Sequence, residues 1–494
     1  MKKFAKLSSL ALAMTLLLAA CGGNTGSTTT TTTTTGPDGE TTAGTDAPQE
    51  VVSLEYWTIG GEPGDLALVT DYINEYTEEK IGVEINFNYS DWGAYADRLT
   101  TMLNTQEYFD IAFGAGINDY ATHAQNGMFA DLKDALNGSA KDLYDFVPED
   151  LWTAMTLPGG EIYGVPAYKD SSMTQYLIFD KAMLEDLGFE KEDFDSVESL
   201  EPLLVAYKEA NPNDYPLMMN QEGINAMLSD YEPISGRVVA KFGTTTAVNL
   251  FAEEAVVNRF KLMREWNEAG YINPDANTMT DPVEGAQIFA AQGFPGADSN
   301  WSGNQGFEVV SNPFYGPIYT NQSIQGSFTV VSAASKNIEK SVEYLMLQNI
   351  DEVVRNAVAF GLEDVHYTKT GDTTITKLEA DERYSVPAYS QGTFFTMYTI
   401  DPNPANQWEL VEEQNQEAEG SPLLGFIFDP TDVEGELAAL SNINTKYFGT
   451  LMTGSADVDS TLEAMYAEQD AAGLQDVLTE VQAQIDAWLQ STGN

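Results

Sequence analysis

The fold is decided by residues 52–113, which read VSLEYWTIGGEPGDLALVTDYINEYTEEKIGVEINFNYSDWGAYADRLTTMLNTQEYFDIAF. Alternating apolar side chains predict short strands at 52–58 and 83–89, and a third strand is predicted at 109–113. Between the first two strands, apolar residues recur at helical spacing until Gly82, which predicts an amphipathic helix that ends there. The stretch therefore alternates between strand and helix.

A second helix is predicted between the second and third strands, with Asp91 as its N-cap and Tyr95 on its apolar face. The order strand, helix, strand, helix, strand predicts a parallel, doubly wound α/β sheet. Such sheets bind ligands outside the carboxyl ends of their strands. A binding site is therefore expected in the loops that follow the three strands, at 57–62, 90–92 and 114–120.

The N-terminus is typical of a secretory signal peptide. Three lysines within the first six residues precede an apolar run at 10–18 and small residues that end at Ala20. The run is too short to remain in a bilayer as a spanning helix. Residues 1–20 are therefore predicted to be a signal peptide that is removed on export.

Cys21 is the only cysteine in the chain. The sequence Leu18-Ala19-Ala20-Cys21 resembles the bacterial lipobox, in which the cysteine thiol is acylated and becomes the new N-terminus. This resemblance implies a lipid anchor on the outer face of the plasma membrane of a Gram-positive-like cell. The threonine-rich residues 21–50 that follow are predicted to be a disordered tether. The alternative is an ordinary signal peptide with an incidental cysteine.

Charge and length narrow the class of protein further. The formal net charge is −53, and the acidic residues are spread along the whole folded body. Nucleic acid is therefore excluded as a partner, because binding to phosphates needs basic surfaces. With one cysteine, at the predicted anchor, the folded body has no disulfide. A body of about 440 residues suggests two or three domains.

Motifs for common enzyme chemistries are lacking. His123 and His366 are the only histidines, so a metal site built from histidine and cysteine is excluded, and a Ser-His-Asp triad would need one of the two. No nucleophile-elbow motif is seen, and neither a P-loop nor a dinucleotide-binding fingerprint follows a strand. A carboxylate pair for glycoside hydrolysis stays open, since 76 acidic residues produce accidental pairs. We expect no enzymatic activity, no cofactor and no metal.

Short elements follow one another along residues 50–494: YW at 56–57, FDIA at 109–112, NGMFADL at 126–132, YGVP at 163–166, YLIFDK at 176–181, NEAGYINP at 267–274 and SAASKN at 332–337. Their order resembles the maltose-binding-like class, family 1, of extracellular solute-binding proteins of ABC importers. The C-terminal part is similar to the LipO-type lipoprotein branch of this class, through GLE at 361–363, HY at 366–367 and SPLLGF at 421–426.

The resemblance implies an α/β fold of the two-lobed periplasmic-binding-protein type, type II, with lobes joined by crossing hinge segments. Lobe 1 is expected to comprise 51–166 with 298–332, and lobe 2 to comprise 167–297 with 333–494, including the C-terminal helices. The crossings are expected at 163–169, 295–301 and 330–335.

The resemblance also implies a function. A monomeric, lipid-anchored receptor would capture a small solute, a carbohydrate or oligosaccharide, between its closing lobes and deliver it to the permease subunits of an ABC importer. Three alternatives stay open. The same fold can bind a peptide or another small solute, and the chain could instead be an extracellular glycoside hydrolase or lyase, or a surface adhesin.

Sugars offer flat C–H faces and many hydroxyl groups, so their sites combine aromatic rings with planar hydrogen-bonding side chains. Aromatic residues at strand ends are candidates for this role, although such residues also cap cores. Trp152, Trp266, Trp408 and Trp488 are assigned to packing. The predicted ligand-binding residues are Trp57, Trp92, Tyr95, Asp119, Tyr168, Lys169 and Trp301.

Overall fold

The computed structural model of the chain describes residues 51–116, 120–281 and 283–492. The predicted signal peptide, Cys21 and the tether lie outside the described residues, as does the candidate ligand residue Asp119. The strands are Val52–Ile59 (β1), Val83–Ser90 (β2), Ile111–Gly114 (β3), Gly164–Pro166 (β4), Met173–Asp180 (β5), Tyr231–Ser235 (β6), Val238–Lys241 (β7), Ala247–Asn249 (β8), Ile288–Gln292 (β9), Val309–Tyr319 (β10), Phe328–Val331 (β11), Tyr367–Lys369 (β12), Thr374–Lys377 (β13), Thr399–Ile400 (β14) and Glu419–Gly420 (β15).

Helices occupy much of the rest of the described chain. They are Leu66–Ile81 (α1), Tyr95–Thr105 (α2), Tyr120–Gln125 (α3), Lys133–Asn137 (α4), Lys141–Phe146 (α5), Glu149–Met155 (α6), Lys181–Leu187 (α7), Glu201–Ala210 (α8), Glu254–Glu268 (α9), Asp298–Gln305 (α10), Asn321–Ile324 (α11), Ile338–Ile350 (α12), Glu352–Phe360 (α13), Gln407–Gln416 (α14), Glu434–Met452 (α15), Val458–Ala471 (α16) and Leu474–Thr492 (α17). None of these helices is long and apolar enough to cross a membrane.

The first sheet contains the predicted β-α-β-α-β unit. Its strand order is β2-β1-β3-β11-β4, and β1 runs parallel to both β2 and β3. Gly82 ends α1 in the left-handed region, with φ of 67°, as the sequence predicts. The predicted N-cap Asp91 is wrong, because Ala94 occupies the N-cap of α2. The backbone carbonyl of Asp91 still accepts hydrogen bonds from Ala94 and Tyr95.

The second sheet has the order β15-β10-β5-β9, and β5 pairs antiparallel with both of its neighbours. Each sheet has its own hydrophobic core. Around the first sheet, Leu54 and Tyr56 pack with Tyr344 and Val358 from α12 and α13. A separate core joins the second sheet to α8, α9, α15 and α16. We call the two sheets with their helices the first and second lobes.

The strand pairing corrects the predicted lobe boundaries. Strand β10 pairs with β5 in the second lobe, whereas 298–332 was predicted to lie wholly in the first. The chain then returns to the first lobe at β11, so the second crossing is at 320–327 and not at 295–301. The chain stays there through α12 and α13, whose side chains join the first core, so 330–335 is not a crossing.

The first crossing and the C-terminal helices lie close to their predicted places. Strand β4 belongs to the first sheet and β5 to the second, so the chain crosses at 167–172, overlapping the predicted 163–169. The C-terminal helices α15 and α16 contribute to the second core, as predicted for lobe 2. Helix α17 packs with α15 on the back of the small sheet β6-β7-β8.

Candidate functional site

A cavity of about 870 Å³ lies between the two lobes. We call it the central cavity. Its first-lobe side begins at Ala115 and Gly116, directly after β3, which is a strand end where the sequence predicts a site. The crossing at 320–327 and the strands β5, β6, β7 and β9 supply the other walls. The side chains used below are Lys169, Gln175, Glu232, Arg237, Gln292 and Tyr389.

Gln175 brings a hydrogen-bonding amide to this cavity from within an apolar strand. Along β5, Met173 and Gln175 face the cavity, whereas Tyr176 and Ile178 pack in a small cluster on the opposite face. Gln175 lies directly across from Gln292 of β9, which also lines the cavity. The two amides thus form a cross-strand pair at the cavity wall.

The side chain of Gln175 is only 7% exposed, and its Oε1 accepts no hydrogen bond from any part of the described chain. A buried acceptor left without a donor costs about 1–3 kcal/mol. A bound molecule that carries an O–H or N–H group can recover this energy. The amide of Gln175 is therefore a candidate hydrogen-bonding group for a ligand in this cavity.

The hairpin of β6 and β7 adds two charged groups to the same cavity. Glu232 is 5% exposed and accepts a hydrogen bond from the Ser421 hydroxyl. Burial raises the pKa of the Glu232 carboxyl to about 7, although the bond from Ser421 opposes this rise. Arg237 lies with its guanidinium carbon 4.1 Å from the centre of the Phe448 ring, and burial lowers its pKa.

A second cavity, of about 500 Å³, lies beside the first, and we call it the flanking cavity. Its walls include Phe394 from the first-lobe segment 384–400, Phe294 after β9, and Trp408 of α14. The ring centres of Phe394 and Trp408 are 4.9 Å apart, and Phe294 lies 6.0 Å from Phe394 and 6.1 Å from Trp408. Trp408, which the sequence assigns to packing, thus also forms part of a cavity wall.

Lys169 and Tyr389 line both cavities. Lys169 is in the first crossing segment, as predicted, and its Nζ lies 2.6 Å from the Asp170 carboxylate. The backbone carbonyl of Lys169 accepts a hydrogen bond from Asn415 of α14. These bonds hold the crossing segment between the two cavities.

Of the predicted tryptophans, Trp92 lies nearest the site. It is 53% exposed, and its ring centre is 5.9 Å from that of Tyr389. Trp57 instead packs on the core beside α2, with the Arg98 guanidinium carbon 4.4 Å from its ring centre. The structure therefore places Trp92 and Lys169 beside Tyr389, whereas Trp57 lines neither cavity.

Tyr95 and Tyr168 are core residues, so their prediction as ligand contacts is corrected. Tyr95 is 1% exposed, and its hydroxyl donates to the carbonyl of Phe113 at 2.7 Å. Tyr168 is 5% exposed and packs its ring 4.2 Å from that of Phe395. Burial raises the pKa of both hydroxyls. Each aromatic ring follows a strand, but it caps a core there.

Trp301 also lies away from both cavities. Its ring centre is 5.8 Å from that of Tyr176, on the face of β5 opposite to Gln175. The prediction of Trp301 as a ligand contact rested on a crossing at 295–301, and α10 instead packs against the second sheet. In the described chain, no group of three or more His, Cys, Asp or Glu side chains is placed to hold a metal ion.

Sequence reasoning missed Gln175, Gln292, Arg237 and Tyr389. The available signal was a glutamine within the apolar strand sequence MTQYLIF at 173–179. A polar side chain in a buried strand needs a partner or a function. Its pairing with Gln292 depends on tertiary structure.

Comparison with known proteins decides the family. The sequence model of a family described as bacterial extracellular solute-binding protein matches residues 71–348, more than half of the chain. The chain belongs to this family. A second model, described as a domain of unknown function (DUF3502), matches residues 422–490 of this solute-binding protein.

Two proteins of known class are similar to this chain along most or nearly all of its length. A carbohydrate ABC transporter substrate-binding protein of Streptococcus pneumoniae is 27% identical, and the match covers 99% of each chain. The crystal structure of the N-glycan transport solute-binding protein NgtS of the same species is 26% identical and has a TM-score of 0.82, over 89% of this chain and 99% of that one. NgtS in complex with Man5GlcNAc, also 26% identical with the same coverage, has a TM-score of 0.71.

These findings confirm the predicted resemblance and the two-lobed α/β fold. They also confirm the prediction that the chain is a solute-binding protein of an ABC transporter and not an enzyme. The family is extracellular by its description, in agreement with the predicted export.

Proposed function

We propose that this solute-binding protein captures an oligosaccharide in the central cavity and delivers it, as a monomer, to an ABC permease. The observation that carries the proposal is the amide of Gln175 in the cavity wall, whose buried oxygen has no donor in the part of the chain that the structure describes. Sugar hydroxyls are donors of the required kind, and Gln292 adds a second planar amide opposite. The similarity to a carbohydrate ABC transporter substrate-binding protein and to the N-glycan transport protein NgtS supports the same class of solute.

The two NgtS structures support capture by lobe closure. The TM-score falls from 0.82, for the NgtS structure described without a ligand, to 0.71 for the complex with Man5GlcNAc. We infer that the present structure is the open form. A solute that contacts both lobes stabilises the closed form, since it binds that form more tightly.

Isothermal titration calorimetry of the full-length protein tests the solute class. The panel contains mannose- and N-acetylglucosamine-containing oligosaccharides, other oligosaccharides and short peptides. We expect saturable binding of at least one oligosaccharide and none of the peptides. Binding of peptides alone would replace the proposed solute, and binding of only a long polymer would indicate an adhesin.

We also propose that Cys21 is acylated after removal of residues 1–20 and holds the protein on the outer face of the plasma membrane. The lipobox-like sequence before Cys21 supports this anchor, and acyl chains contribute roughly 0.8 kcal/mol per buried methylene. Cys21→Ser is expected to move the protein from the membrane fraction into the medium. Retention of this variant on the cells would contradict the anchor.

A further inference from the structure

We propose that the flanking cavity is a second sugar subsite, which holds the outer units of an oligosaccharide whose first units lie in the central cavity. This inference rests on the proposed function and deepens it, because it concerns the length of the solute. A protein with the central cavity alone would serve a short sugar equally well.

The shared wall is the first observation in favour. Lys169 and Tyr389 line both cavities, so a solute that fills the central cavity reaches the flanking cavity at these two side chains. The cavities measure about 870 and 500 Å³, and each volume falls within the roughly 300–1,000 Å³ of small-molecule sites. Together they offer room for a solute larger than one such site accommodates.

The chemistry of the flanking wall is the second observation. Phe294, Phe394 and Trp408 form a group of rings with centre separations between 4.9 and 6.1 Å. Such a surface suits the C–H face of a sugar ring. The amides of Asn403 and Gln407 lie beside these rings, and the Asn403 Nδ2 donates to the Gln407 Oε1 at 3.1 Å.

The charged groups in the flanking wall suit a neutral solute. Lys169 and Asp170 are mutually paired at 2.6 Å, and their side chains are 13% and 14% exposed. This pair leaves little net field for attracting an ion, and the third charged side chain of the wall, Lys377, also has an interaction partner. Aromatic faces with adjacent amides therefore fit uncharged sugar units better than an acidic or basic solute.

The test uses the full-length protein with two probes, Man5GlcNAc and a mannose disaccharide. Trp408→Ala is expected to lower the affinity for Man5GlcNAc about tenfold and to change that for the disaccharide less than twofold. Trp408→Phe, which keeps an aromatic face, should retain most of the affinity. Trp488→Ala is the matched control, because Trp488 packs on Phe426 away from both cavities.

A second variant guards against misfolding of Trp408→Ala. Asn300 lines the flanking cavity at an exposed position, so Asn300→Ala should fold normally and weaken Man5GlcNAc binding a few-fold. Equal losses for both probes, or no loss for either in the two variants, would refute the second subsite and leave the receptor function intact. If the wild-type protein binds neither of these probes nor any other sugar, the proposed function itself fails, and this inference fails with it.

Discussion

The central and flanking cavities differ in the groups they present and in how those groups are satisfied. The central cavity contains a buried carboxyl, on Glu232, and the amide of Gln175, whose oxygen has no donor among the described residues. The flanking cavity presents aromatic rings, and Lys169, which lines both cavities, is already paired with Asp170. Under the proposed function, the buried polar groups of the central cavity would supply most of the specificity, and the rings of the flanking cavity would supply apolar contact area.

The largest expected effect concerns the carboxyl in the central cavity. The pKa of Glu232 is raised to about 7, so the buried carboxyl is neutral at pH 5 and ionised at pH 8. Relative to Glu232→Gln, the wild-type protein should lose up to about 3 kcal/mol of unfolding free energy between these pH values. Urea denaturation at both pH values measures this difference.

The partner of Glu232 provides a control for that prediction. The hydrogen bond from the Ser421 hydroxyl lowers the pKa of the Glu232 carboxyl. Ser421→Ala should therefore raise this pKa further and move the loss of stability to higher pH. A difference between wild type and Glu232→Gln that is the same at pH 5 and pH 8 would show that Glu232 does not titrate in this range.

The next prediction compares the amide of Gln175, which is proposed to bind the ligand, with the amide of Gln287, which is structural. Gln175→Leu should lower the affinity for the bound oligosaccharide roughly thirtyfold, equivalent to about 2 kcal/mol, and should leave the protein as stable as before or slightly more so. Gln287→Leu is the matched control, since the Gln287 amide accepts a bond from Tyr207 and lies outside both cavities. This control should lower stability by about 1 kcal/mol without changing affinity. The opposite pattern would make Gln175 a packing residue.

Tyr389 tests whether the two cavities share a wall in function. Tyr389→Ala should weaken oligosaccharide binding about tenfold, because it removes an aromatic surface from both cavities. Calorimetry of the variant measures the loss. An affinity within twofold of wild type would show that the oligosaccharide does not contact the wall shared by the two cavities.

The smallest expected effect is at Trp301. Trp301→Ala should change oligosaccharide affinity less than twofold, since the ring lies on the opposite face of β5 from Gln175. Its stability should fall, because the ring packs against Tyr176. A large loss of affinity in a variant that still folds would restore the sequence-based prediction for Trp301.

Much of the first sheet could be predicted from local patterns. The alternation at 52–58 and the helical spacing that ends at Gly82 are each set by neighbouring residues, and both appear in the structure. The same local reasoning failed at the lobe boundaries. Whether β10 joins the first or the second sheet depends on its pairing with β5, which no local pattern contains.

For the candidate site, too, local patterns predicted some features and failed for others. Position after a strand drew attention to Trp92, which packs beside Tyr389, and to the end of β3, which lines the central cavity. It also selected Tyr95 and Tyr168, which are buried, because a strand end borders both the core and the cleft.

The sequence alone was enough for the α/β class, the absence of familiar catalytic motifs and the resemblance to solute-binding proteins. Periodicity and short motifs depend on residues that are close in the chain. Only the tertiary structure decided that Gln175 faces Gln292, that Trp408 reaches a cavity and that Trp301 does not. These facts depend on which faces of distant strands and helices meet, and that is fixed by packing.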